Sequence, residues 1–187
     1  EYTDRANKLG VSISDAYESM TIFYQQGLKT DSALALSNET LKMARIAGLD
    51  AAEATDRMTN ALRGFNMELN ETNAQRVDDV YNKLAAISAS NVDEISTAMT
   101  KVASLANNAN MEFETTSAFL AQMIETTREA PTNIGTALKT IVANFTQFKE
   151  DPAGLNEEGT EINKVDKALK SVGISLTDTN GEVRDLS

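Results

Sequence analysis

Two side-chain types that carry much of protein chemistry are missing from this 187-residue chain, which holds no histidine and no cysteine. The usual general base of nucleophilic triads and the commonest metal ligand are therefore absent. So are thiolate nucleophiles, disulfides and zinc ribbons. Carboxylates, hydroxyls and amines remain. Adjacent acids stand at Asp78-Asp79 and Glu157-Glu158, but neighbours in sequence point in different directions on a helix, so both pairs read as solvated charged faces. Asp178-Thr179-Asn180-Gly181 has the composition of the middle of a calcium loop. With Gly181 at position six, positions one and twelve would fall on Leu176 and Ser187, and both fail as ligands. No Gly-rich phosphate loop occurs. Gly135-Thr136-Ala137 could offer backbone amides to an anion, yet the run lies inside an apolar stripe, so close helix packing is the better reading. No motif brings a serine beside a lysine. The seven methionines fall mostly on predicted stripes and read as core filler. No catalytic, cofactor-binding or metal-ligating residue is assigned, and the expectation is a protein that is not an enzyme and takes no cofactor.

The elements that position these side chains read as helices. Only two prolines occur, Pro131 and Pro152, so breaks come from Gly, Asn, Ser and Asp. Ser12 or Ser14 caps a first helix carrying Tyr17, Met20, Phe23 and Tyr24 and ending near Gly27. Asp31 caps the next, with Leu34, Leu41, Ala44 and Ile46 inward and a stop at Gly48. Asp50-Ala51-Ala52-Glu53 has capping-box spacing; its helix buries Ala54, Met58, Ala61 and Leu62, and Gly64 stops it. From Asn70, Val77, Val80, Tyr81, Leu84 and Ile87 follow the i, i+3, i+4, i+7 stripe. Ser90-Asn91, with Glu94 downstream, caps a helix striped by Val92, Ile95, Met99, Val102 and Ala106, spaced like a short coiled-coil seam. The next has Phe113, Ser117, Leu120, Ile124 and Thr127 on one face. Pro131 suits the first turn of the last, whose stripe is Ile134, Ala137, Leu138, Ile141, Phe145 and Phe148. Ala47-Gly48-Leu49 and Ala109-Asn110-Met111 each end one helix and lead into another, but two instances do not establish a repeat.

The fold expected is all-α: a compact array or bundle of about seven to eight short antiparallel helices, with a short β-hairpin or turn near the C-terminus. Residues 1–149 form the helical core domain. Residues 150–187 carry nine acids and four bases and read as an acidic linker, one helix around Ile162 to Val172, and a hairpin turn at Asn180-Gly181. The 25 alanines and 5% aromatic content imply thin helix–helix seams rather than one deep core. A formal charge of −11 opposes direct binding to nucleic acid or to an anionic membrane surface. Nothing approaches the ~18 apolar residues of a membrane span. The first residue falls inside a helical pattern and Arg184-Asp185-Leu186-Ser187 reads as the start of another element, so a longer protein is expected.

The run from Val80 to Phe145, with Glu114-Thr115-Thr116-Ser117-Ala118-Phe119-Leu120-Ala121 and then Gly135-Thr136-Ala137-Leu138-Lys139, resembles the core region of bacteriophage tail tape measure proteins. The preceding stretch from Ala47 to Ala85 and the Gly-Ile-x-Leu-x-Asp-x-x-Gly turn from Gly173 to Gly181 resemble it too. The likeness covers residues 30–187 and rests on the order and spacing of motifs rather than on one of them. At Glu129-Ala130-Pro131-Thr132 the sequence departs from a glycine-rich turn of the family. The resemblance implies Gly135, Thr136, Ala137, Leu138 and Lys139 as a structural signature. It also implies a segment that sets tail length during tube assembly, lies in the tail lumen of a phage, prophage or phage-like particle, and is released toward the host envelope on infection. The implied partners are the tail tube protein, tail assembly chaperones, tail tip or baseplate proteins and other copies of itself. The chain would be made in the bacterial host cytoplasm and reside in the virion. A generic helical protein–protein interaction module is the rival reading. One continuous helix of this length would span at most about 280 Å, whereas the recurring caps predict a segment that folds compactly when free.

Overall fold

Local capping chemistry sets where the helices begin. In the computed structural model, which describes residues 10–150, these are α1 (Ile13–Gln25), α2 (Thr30–Ala47), α3 (Ala51–Gly64), α4 (Glu71–Ile87), α5 (Val92–Asn108), α6 (Phe113–Thr127) and α7 (Pro131–Glu150). Ser12 and Asn91 each form a full capping box, with Asp15 and Glu94 respectively, so two otherwise orphaned amides are satisfied at each start. Asp50 accepts from the Glu53 amide at 2.7 Å, and Asn70 from the Asn73 amide at 2.9 Å. Pro131 is the first residue of α7, where its missing N–H costs nothing. All the described elements are helices, in agreement with the all-α expectation. The helix around 162–172 and the hairpin at Asn180-Gly181 lie outside the described residues.

Several sequence expectations need correction. Lys29, not Asp31, is the N-cap of α2, and Asp31 sits in the first turn, where its charge meets the positive end of the helix dipole. The Glu53 carboxylate pairs with Arg57 instead of reaching back to Asp50. Gly64 is the last residue of α3 and is buried; it is a packing residue and no left-handed stop. Tyr17, Tyr24, Ile46, Ile87 and Thr127 are exposed. Each lies at the margin of its stripe, where the apolar arc is wider than the buried one. On α7 the inward face is Ile134, Gly135, Leu138 and Val142, with Ala137 and Ile141 outside. The helix is rotated because Gly135, not Ala137, gives the closest approach to α5.

Packing is sequential. Each helix touches the next one and the next but one, from α1 through α7, with a lesser contact between α2 and α5; α5 against α7 is the most extensive seam. One hydrophobic core runs through the stack, from Met20 and Phe23 at one end to Leu138 and Val142 at the other. In the middle, Phe113 meets Phe65 edge-on at 5.4 Å between centroids and Tyr81 at 5.5 Å. Such ring pairs add about 0.5–1.5 kcal/mol beyond area burial.

The stack also repeats. The buried set Ala33, Leu36, Ser37, Thr40, Leu41 and Ala44 on α2 recurs 62 positions later as Ile95, Ala98, Met99, Val102, Ala103 and Ala106 on α5. Ala51, Ala54, Thr55, Met58 and Leu62 on α3 recur as Phe113, Thr116, Ser117, Leu120 and Ile124 on α6. The left-handed residues Gly48 (φ 71°) and Asn66 (φ 53°) recur as Asn110 (φ 60°) and Arg128 (φ 58°). With slightly different loop lengths, Ala74, Val77 and Tyr81 on α4 correspond to Gly135, Leu138 and Val142 on α7. The unit is three helices long, and its neighbours are only its neighbours in sequence, the quasi-one-dimensional organisation of repeat proteins.

Candidate functional site

The clearest specialised geometry lies where α3 and α7 press on α5. A Cβ added to Gly135 would stand 2.1 Å from the Ala98 carbonyl oxygen, and one added to Gly64 would stand 2.5 Å from the Ala103 Cβ. Two backbone-to-helix contacts thus grip α5 through its alanines. Of the signature run, Gly135 and Leu138 face this seam. Thr136, Ala137 and Lys139 are exposed, and the Thr136 hydroxyl donates to the carbonyl oxygen of Thr132 at 2.8 Å. The run is therefore divided, with two residues for packing and three for the surface. The anion-binding alternative fails at Gly135, because its face is occupied by Ala98.

Polar bridges fix the order of the helices. Arg57 on α3 donates to the Asp93 carbonyl oxygen at 2.9 Å and to the Ser96 hydroxyl at 3.0 Å, and pairs with the carboxylates of Asp93 and Glu53. Its side chain is only 11% exposed, so it acts as a semi-buried clamp on the first turn of α5. Arg76 on α4 holds Glu114 on α6 bidentately at 2.6 and 2.7 Å, and this hydrogen bonding keeps the Glu114 carboxyl below its ordinary value. Between α1 and α3, the Thr55 hydroxyl donates to Ser19 at 2.9 Å, and the Gln26 amide donates to Thr59 at 3.2 Å.

Asp78 is a residue that sequence reasoning misplaced. It is buried, and neither carboxylate oxygen has a hydrogen-bond partner, so its assignment to a solvated face is wrong. The signal was present: Ala74, Val77, Asp78 and Tyr81 are a perfect i, i+3, i+4, i+7 set. Burial, reinforced by the nearby Glu39 and Asp79 and opposed by Lys42, pushes the Asp78 carboxyl up to about 8. Burial likewise raises the Tyr81 phenol, whose oxygen also lacks a partner. The nearby Glu39 is also buried, but its carboxylate pairs with Lys42 at 2.6 Å, and no hydrogen bond joins either of them to Asp78 or to the Tyr81 hydroxyl. Among the described residues no group of three or more acids could hold a metal, and no helix is long and apolar enough to cross a membrane.

The sequence profile of phage-related minor tail proteins matches residues 3–187. The chain belongs to that family. Members of that family are phage tail proteins. This minor tail protein is also similar to a tape measure protein of Pneumococcus phage Dp-1, at 23% identity over 180 residues. The match takes in 96% of the present chain and 14% of the relative, so the chain spans about one seventh of that protein's length. No solved structure matches it. The family membership agrees with the resemblance drawn from the motif order. Among the described residues of this minor tail protein, the seams on α5 at Gly64 and Gly135 are the specialised feature.

Proposed function

We propose that this chain is a segment of a tape measure protein that sets tail length during tube assembly and occupies the tail lumen. The observation that carries the reading is the match to a tape measure protein along 96% of the chain. Tail tube subunits, assembly chaperones, tail tip or baseplate proteins and further copies of the chain are its partners in this reading. It is made in the host cytoplasm, packaged in the virion and released toward the host envelope. The charge of −11 suits a lumen that later passes DNA, since like charges do not adhere. The signature run Gly135 to Lys139 serves here as a lock between α7 and α5, with Thr136, Ala137 and Lys139 left for contacts outside the segment.

Tail length in a phage carrying an in-frame duplication of residues 30–91 tests this. That insert would add roughly 90 Å if it became a continuous helix in the tail, and less if it stayed folded. Electron microscopy should show a uniform lengthening between those limits. Infectious particles with tails of unchanged length would overturn the length-setting role.

A further inference from the structure

The repeat sets α4 on α2 as it sets α7 on α5, yet the two seams differ in kind. The α5–α7 seam is the most extensive in the molecule, and the residues that α7 buries, Ile134, Gly135, Leu138 and Val142, have no polar side chain. The α2–α4 seam is less extensive, and it buries two carboxyls, Glu39 from α2 and Asp78 from α4. The repeat does not require them. One unit on, Glu39 becomes Lys101 and Asp78 becomes Lys139, and both lysines are exposed.

The closed seam suits Asp78 only without charge. Both of its oxygens are buried and meet no donor. Glu39 lies close enough for its charge to act on Asp78, while its own partner, Lys42, is half exposed. The Tyr81 hydroxyl, one turn on, is buried and unpaired as well. A bare carboxylate here has neither water nor a donor, so the charged form is favoured where the seam is open. The other neighbouring charges are already paired, Arg57 of α3 with Glu53 and Asp93, and Glu114 of α6 with Arg76. No residue that α5 buries is charged. Burial and then Glu39 raise the Asp78 carboxyl, Lys42 opposes them, and Asp79 adds least. No stronger seam holds α4, since those with α3, α5 and α6 are each less extensive than that with α2.

We propose that the α2–α4 seam is a pH-operated joint, which closes on a neutral Asp78 and opens when that proton passes to solvent, freeing α4 from α2 while the α5–α7 seam stays closed. The stack then loosens at one defined place, between its first unit and its second. The joint is independent of whether the chain sets tail length.

Hydrogen exchange on the full 187-residue chain, from pH 6 to pH 8 and corrected for the intrinsic rate, tests this. Over that range an open form that exposes Asp78 gains about tenfold per pH unit. Opening of α4 over residues 74–84 should therefore rise about a hundredfold, and that of α7 over residues 134–142 by less than about threefold. Asp78→Asn should hold α4 flat, while Asp79→Asn, at the exposed neighbour, follows the parent. Asp78→Met takes its place if the asparagine variant does not fold, and the contrast between α4 and α7 in the parent stands without either. An α4 that opens no more at pH 8 than at pH 6 would overturn the proposal. So would a rise shared equally by α7, or one that Asp78→Asn retains.

Discussion

Gly135 on α7 rests directly against the main chain of Ala98 on α5, so close that a Cβ at 135 would stand 2.1 Å from the Ala98 carbonyl oxygen. The nearest atoms are backbone, which cannot rotate away as a side-chain tip does. Gly135→Ala must therefore separate the two helices along the most extensive seam of the molecule. A loss of roughly 3 kcal/mol in chemical denaturation is expected, at the upper end for overpacking. Thr136→Ala, one residue on and exposed, should stay within about 0.5 kcal/mol.

The two arginine bridges should behave differently. Arg76 and Glu114 are 48% and 42% exposed, so Glu114→Gln should cost under about 1 kcal/mol, and the loss should shrink further in molar salt. Arg57 is nearly covered and also satisfies a carbonyl and a hydroxyl on α5. Arg57→Ala should cost about 2–3 kcal/mol and change little with salt. Urea titrations at low and high ionic strength compare them. Equal losses for both variants would contradict the clamp assigned to Arg57.

How much of this was visible beforehand differs by level. Helix starts with a capping side chain, such as Ser12, Asp50, Asn70 and Asn91, were legible because one oxygen meets one amide within a single turn. The start at Lys29 was not, since it has no side-chain cap. Stripe centres were legible, and stripe margins were not: Ile46 and Ile87 are apolar yet exposed, because sequence period cannot show how wide the facing surface is. The family was legible in motif order. The repeat was nearly hidden. Between residues 30–66 and 92–128 only Asp31, Ala44 and Ala47 recur as identical residues, at Asp93, Ala106 and Ala109. What recurs is burial, with sizes exchanged: Leu36 becomes Ala98 where Gly135 presses in, and Ala51 becomes Phe113 where the aromatic cluster forms. Volume is conserved across a seam rather than at a position.

The left-handed turn at Asn110 gives a direct test of that equivalence. Its counterpart one unit earlier is Gly48, at φ 71° against 60°. A side chain in this region is strained, and Asn bears it better than most residues. Asn110→Gly should leave the turn unchanged and stabilise by up to about 1 kcal/mol, whereas Asn110→Val should destabilise by at least as much. Thermal melts of the two variants decide this. Similar melting temperatures would mean that the turn relaxes and that the match with Gly48 carries no conformational demand.

Asp78 makes stability depend on pH in an unusual sense. Burial is the largest cause of its raised value, followed by the like charge of Glu39, then the opposing pull of Lys42 and last the like charge of Asp79. The folded value of about 8 lies above the ordinary 3.8. Between those limits the folded chain holds a proton that the unfolded chain has released. The contribution of this group is therefore fully present below about pH 3.8, falls as pH rises, and is gone above about pH 8. The local slope is at most about 1.4 kcal/mol per pH unit. The buried set Ala16, Ser19, Met20 and Phe23 on α1 recurs 58 positions later as Ala74, Val77, Asp78 and Tyr81 on α4, so Met20 stands where Asp78 does and Asp78→Met tests the same site without a charge. That variant should be more stable than the parent at pH 8, and the difference should narrow steadily toward pH 5. Urea unfolding at closely spaced pH values measures it. A parent whose stability rises from pH 5 to pH 8 by the same amount as Asp78→Met would show that this carboxylate is ionised and solvated in the folded chain.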